Sequence, residues 1–191
     1  MRLSPITLLF AAAAAAASPP LTKRIDIITA DTLIQDITNI HTGVLANTRA
    51  TEAYSGSGGL LTSLIQGAPV LATVGAIHVA NRKGFADANL SPAISQPDTA
   101  RVFQHTQDTV AVSIPASVQA LKAKRTAFEA DGMGAVVVAS LRLLLNDHDT
   151  FSAALTAKAY VGNETLTAQG EAIVDGIHDA IQSGIDAFNS A

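Results

Sequence analysis

The chain has 191 residues, with 12 Lys and Arg against 16 Asp and Glu, 48% hydrophobic but only 4% aromatic side chains, and no cysteine. The missing cysteines exclude disulfides, thiol catalysis and a Cys-based zinc site, so stability has to come from the single apolar core that a chain of this length can build. A net charge of -4 speaks against nucleic acid or an anionic membrane surface as a partner.

The N-terminus reads as two processing signals. Arg2 gives a short basic start, Leu3 to Ala17 form an apolar run, and Ala15 and Ala17 satisfy the small-x-small cleavage rule, so residues 1–17 are expected to be a secretory signal peptide. Lys23-Arg24 is a dibasic pair in the gap before the first periodic segment, and cleavage there would make 18–24 a propeptide. The domain expected from this reading spans 25–191. Without Arg2, Lys23 and Arg24 it keeps 9 basic residues against 16 acidic ones, a charge of -7.

From Asp26 to Tyr54, Ile27, Ile34, Ile37 and Val44 step by threes and fours with His41 between them, which predicts a long amphipathic first helix. Ser55 to Gly59 breaks it. Leu60, Leu61, Leu64, Leu71, Val74 and His78 then predict a second helix that bends at Pro69 and fades near Asn89. The stretch Leu60 to Ala80 lacks charge over a length that could cross a bilayer, but Gln66, Gly67, Pro69, Gly75 and His78 interrupt it, and a helix of a soluble domain is expected. Ser91 to Pro97 reads as the longest linker, with Asp98 as N-cap of a third helix through Phe103, Val110, Ile114, Val118, Leu121 and Phe128 that Pro115 should kink or divide. After Asp131-Gly132-Met133-Gly134, the residues Val137, Leu141, Leu144, His148, Phe151 and Leu155 mark a fourth helix, closed by Gly162-Asn163. Leu166, Ile173, Ile177, Ile181, Ile185 and Phe188 mark a fifth. No segment alternates, so the expected fold class is all-α: an up-and-down bundle of about five helices with a possible central apolar cavity.

Candidates for chemistry are few. Ser57 lies among glycines but in no nucleophile-elbow or phosphate-loop pattern. Asp147-His148-Asp149 is a tight carboxylate-imidazole cluster, yet consecutive helical residues point about 100° apart and cannot converge on one ion. No metal site, cofactor or catalytic residue is assigned. His41, His78 and His148 each fall on the apolar stripe of a different helix, where an imidazole could meet the head group of a ligand in a greasy wall. Asn163-Glu164-Thr165 is a glycosylation sequon in a predicted turn; Asn89-Leu90-Ser91 matches too, but Pro92 follows it directly.

The signal with Lys23-Arg24, the run Tyr54 to Leu60 (Tyr-Ser-Gly-Ser-Gly-Gly-Leu), the run Leu121 to Gly132 and the segment Val137 to Leu155 together resemble the hydrophobic surface-binding protein A family of filamentous fungi, which includes the ligand-binding domains of cell-wall galactomannoproteins. The resemblance spans Asp26 to Phe188. It implies a secreted or wall-associated five-helix bundle, with no catalytic motif, that adsorbs to hydrophobic surfaces or encloses a fatty acid. Wall-anchored members add a Ser/Thr-rich region and an anchor signal, and neither is found here.

The expected function is therefore non-enzymatic binding of a fatty acid or similar lipid, or of a hydrophobic surface. The alternatives are a surface-coating protein that recruits a secreted esterase to wax or polyester, a wall-associated mannoprotein antigen and, least favoured, a lipid hydrolase. Burying a sixteen-carbon tail at about 0.8 kcal/mol per methylene gives a gross gain of roughly 12 kcal/mol before ordering costs. The wall residues expected for such a tail are Ile37, Leu64, Val74, Val110, Ile114, Leu141 and Ile177, with His41, His78 and His148 as candidate head-group contacts.

Overall fold

Capping chemistry and glycine breaks divide the chain into α1 (Ala30–Ala53), α2 (Gly59–Leu90), α3 (Gln96–Asp108), α4 (Val110–Ala123), α5 (Arg125–Ala130), α6 (Gly134–Thr156) and α7 (Glu164–Asn189). The computed structural model describes residues 28–56 and 59–189, with the side chains of 59–61 excepted. The expected signal peptide 1–17, the segment 18–24 with Lys23-Arg24, Ile27, Ser57 and the side chains of Leu60 and Leu61 lie outside the described residues. Among the described residues there is no strand.

Thr29 starts α1 with a capping box, its hydroxyl accepting from the Thr32 amide and the Thr32 hydroxyl from its own, both at 3.4 Å. Leu33, Ile37, Ile40 and Val44 then bury one face, at the helical spacing read from the sequence. The cap of α3 is Ser95 rather than Asp98, because the Ser95 hydroxyl accepts from the Asp98 amide at 3.3 Å and Pro97 fits the first turn, where no backbone donor is needed.

The third predicted helix is three helices. The breaks fall at Thr109 (φ -121°, ψ -88°) and at Lys124 (φ -95°, ψ 3°), while α4 runs through Pro115. A proline removes the hydrogen bond to the carbonyl four residues back, here that of Ala111, and α4 continues through that gap. α2 likewise passes Pro69 without interruption.

α1 packs on α2, α2 on α6, α6 on α7, α7 on α4, and α3 with α4 back on α1. The five columns therefore close into a ring whose axis no helix occupies. Helix α4 and α6 are not neighbours in that ring, so the chain crosses its end through α5. There Phe128 stacks on Tyr54 with ring centres 4.2 Å apart and meets Phe188 edge-on at 6.4 Å. The Tyr54 hydroxyl donates to Asp131, Lys124 donates to the Tyr54 carbonyl at 2.8 Å, and burial together with Asp131 pushes the Tyr54 hydroxyl pKa up to about 12.

This clasp requires a glycine at 56. Gly56 has φ +66°, and a Cβ there would lie 2.5 Å from the Ala127 Cβ; Gly132 has φ +72° but faces open space. Gly132→Ala is expected to cost about 1–2 kcal/mol through left-handed strain alone. Gly56→Ala should cost about 1–3 kcal/mol more, because the chain must also move off α5. Denaturant unfolding of the two variants checks the order; equal losses would mean the loop is not held against α5.

Candidate functional site

The ring axis holds a cavity of about 100 Å³ within a wider void of about 970 Å³ that includes its opening to solvent. Every long helix contributes to its wall. Ile37, Ile40 and Val44 come from α1, Ile77 from α2, Phe103 from α3, Val110, Ile114 and Leu121 from α4, Leu144 and Phe151 from α6, and Ile173 and Ile177 from α7. A second space of about 30 Å³ lies between α2 and α6, lined by Val70, Val74 and Val137, and shares Asn47, Leu121, Leu141 and Leu144 with the first.

The structure gathers Ile37, Val110, Ile114, Leu141 and Ile177 on the axial cavity, while Val74 lines the smaller one beside it. Leu64 is a correction: it is 50% exposed on the outside of α2. The buried face of α2 carries Ser63, Gly67, Val70, Ile77, Asn81, Gly84 and Ala88 instead. Apolar residues surround the first two-thirds of this helix, so periodicity could not select its inner side.

Of the three histidines, His148 alone lines the cavity. His41 and His78 serve between helices. The His41 Nδ1 pairs with the Ser113 hydroxyl of α4 at 2.9 Å, and the His78 Nδ1 donates to Asp147 of α6 at 2.6 Å. Asp147 is 1% exposed, so His78 partners a carboxylate that burial would otherwise leave costly. The Asp147-His148-Asp149 run disperses, since Asp147 meets α2 while Asp149 accepts from His178 of α7 at 2.9 Å. A comparable tie joins α1 to α2, where Lys83 donates to both Asp36 and Asp87 at 2.6 Å.

The His148 Nε2 donates to the Val174 carbonyl of α7 at 3.1 Å, which leaves Nδ1 to accept from Ser152 at 3.3 Å. Ser152 and Thr156 follow His148 at intervals of four on α6, and with Thr106 of α3 they add a polar strip to the wall. The sequence reading overlooked this strip, although its i, i+4, i+8 spacing was there to find. Asn163 sits at the start of α7, where its side-chain oxygen accepts from the Leu166 amide at 3.1 Å.

The profile of the hydrophobic surface binding protein A family matches residues 30–157. The chain belongs to that family. Among solved structures, Afmp4p in complex with palmitic acid superposes with a TM-score of 0.75 at 24% identity, over 83% of this chain and 99% of that one. Ligand binding domain 1 of Penicillium marneffei MP1 protein, complexed with arachidonic acids, gives 0.71 at 23% identity over 81% and 94%. Domain 2 of the same protein, complexed with multiple arachidonic acids, gives 0.71 at 22% identity over 82% and 94%. Among curated proteins compared by sequence, none matches. The structural likeness establishes a shared all-helical fold.

Burial pushes the His148 imidazole below its ordinary value of 6.5. Between the folded value and 6.5 the unfolded chain holds the extra proton, so this group's contribution to stability is intact above 6.5 and is lost as pH falls through that window. Thermal unfolding followed from neutral to mildly acidic pH should therefore show a smaller decline for His148→Gln than for the unaltered chain. Identical slopes would mean that His148 titrates as freely folded as unfolded.

Proposed function

We propose that this chain is a secreted, non-catalytic carrier that holds the tail of a fatty acid or similar lipid on the axis of its helical ring. The observation that carries the reading is the apolar axial cavity, in a fold whose solved relatives are complexed with palmitic and arachidonic acids. Ile37, Val110, Ile114, Leu141 and Ile177 form the proposed tail wall, Val74 its extension into the smaller space, and His148 the polar contact. An engineered cavity of about 150 Å³ takes a molecule the size of benzene, so about 100 Å³ receives a long tail only as the wall side chains give way. Leu, Ile and Val contacts yield at modest cost, because no polar bond is broken when they slide.

A second reading, adsorption to hydrophobic surfaces, is favoured by the outside of α2. Leu64, Ile65 and Val79 are 50%, 67% and 66% exposed there, on a helix whose only Asp, Glu, Lys or Arg residues come after Asn81. Apolar side chains turned outward on an uncharged stretch fit wax, polyester or an air-water interface. A secreted esterase recruited to such a surface, or a place in the cell wall, would use the same face. The carrier is further proposed to bear a glycan at Asn163. The sugar would join the amide nitrogen and leave the cap on Leu166 in place.

Two sets of variants separate the readings. Val110→Trp fills the axis and is expected to lower fatty-acid affinity at least about tenfold at a stability cost of about 1–3 kcal/mol or less; Val74→Trp tests the side space in the same way. One-to-one binding at unchanged affinity by a folded Val110→Trp protein would place the lipid elsewhere. Leu64→Glu and Ile65→Glu should each shift stability by no more than about 0.5 kcal/mol, reduce adsorption to a hydrophobic surface and leave lipid binding unchanged. Undiminished adsorption would remove α2 from that role.

A further inference from the structure

The cavity wall contains no Lys, Arg, Asp or Glu among the described residues, and His148 is its one titratable group. What the wall offers a head group follows from a count of donors and acceptors. Asn47 gives one amide hydrogen to the Val70 carbonyl at 3.2 Å and the other to the Thr73 hydroxyl at 2.9 Å. Thr106 donates to the Val102 carbonyl at 2.8 Å, and Thr156 to the Ser152 carbonyl at 2.9 Å. Ser152 donates to the His148 Nδ1, and the His148 Nε2 donates to Val174. Asn81 spends one amide hydrogen on the Ile77 carbonyl at 3.0 Å. The Ser117 hydroxyl donates to the Asn47 side-chain oxygen at 3.5 Å, which leaves the second Asn81 hydrogen as the spare side-chain donor of the wall. Acceptors, by contrast, are plentiful: the hydroxyl oxygens of Thr106, Ser117, Ser152 and Thr156 and the side-chain oxygen of Asn81 all line the space.

An ionised carboxylate is acceptor-only and needs two or three donors or a cation when it leaves water. This wall offers one spare side-chain donor and no cation, and the acidic chain around it adds an unfavourable field. We propose that the cavity selects lipids whose head group is uncharged and donates a hydrogen bond, a fatty alcohol or a protonated fatty acid, over the ionised carboxylate. The inference rests on the carrier reading above and specifies the form of ligand that the same site accepts. An O–H head group turns its hydrogen toward the Thr106, Ser152 and Thr156 oxygens and takes the Asn81 hydrogen in return. Burial holds the His148 imidazole below its ordinary value, so it does not furnish a cation at neutral pH. The charged groups around it are already engaged. On α6, Asp147 is held by His78 of α2 and Asp149 by His178 of α7, with Asp175 and Asp179 beside His178; Lys83 of α2 is bound by Asp36 and Asp87. The residues of α1, α3 and α4 in the wall are uncharged.

The test titrates the secreted protein with 1-dodecanol and with dodecanoic acid, which share a tail length, at about pH 8 and about pH 5, on either side of most of a carboxyl's change in charge. At the higher pH the alcohol is expected to bind at least about tenfold more tightly than the acid. On acidification the acid should tighten by about tenfold or more while the alcohol changes less than about twofold. The acid's gain should persist in His148→Gln, because the proton rides on the ligand. Dodecanoate binding as tightly as dodecanol at about pH 8 would overturn the inference while leaving the carrier reading standing. A gain that disappears in His148→Gln also overturns it, since the bound species would then be a carboxylate paired with imidazolium. Binding of neither compound at either pH refutes the carrier reading itself, and the selectivity with it.

Discussion

Five helical columns packed side by side in a ring leave a line along the axis that no backbone occupies, and side chains alone must fill it. Each helix is about 10–12 Å across with its side chains, so the filling falls to residues that reach inward from every side. This chain provides Ile, Leu and Val with few aromatic rings, and they leave a space of about 100 Å³. With no cysteine to cross-link the ring, its closure depends on the contacts between neighbouring columns and on the aromatic clasp of Tyr54, Phe128 and Phe188 at one end. The features that hold the ring shut are therefore at its seams and its end, and the axis is left adaptable.

The polar groups follow the same division. Asp36 with Lys83, His78 with Asp147, His178 with Asp149 and His41 with Ser113 each join two columns. The first two hold buried carboxylates, Asp36 and Asp147, and so favour the neighbours they have, because a buried carboxylate tolerates only a partner that meets it. His148 faces the axis instead, but it too is tied, to the Val174 carbonyl across the α6 and α7 seam. Most side-chain donors of the axis wall are thus spent on seams and helix carbonyls.

Helix α2 inverts the usual arrangement. It buries Ser63, Asn81 and the glycines at 67 and 84 while Leu64, Ile65 and Val79 face water. Small residues let α1 and α6 approach closely, and Asn81 satisfies its buried amide on the Ile77 carbonyl of the same helix. The cost is an apolar outer surface that a monomeric soluble domain normally avoids. That apolar surface lies on the outside of the ring, away from the axis. Cavity and surface are therefore separable features of one bundle, and a substitution in one need not disturb the other.

The sequence by itself determined that the chain is helical, roughly where the long helices lie, and the inward stripes of α1, α6 and α7. Ile37, Leu141 and Ile177 were legible because each sits on a helix with a clear polar side. The tertiary structure alone decided the rest. It placed the break at Thr109 rather than at Pro115, since a proline costs a helix one hydrogen bond and a packed helix can run on through that loss. It turned Leu64 outward, since a helix apolar on all sides has no preferred face until its neighbours choose one by fit. It also parted His148 from His41 and His78. All three lie on apolar stripes, and a stripe records only that a side chain leaves water; whether it then meets a neighbouring helix or the empty axis depends on the rotation of each column in the ring, which no local pattern of residues encodes.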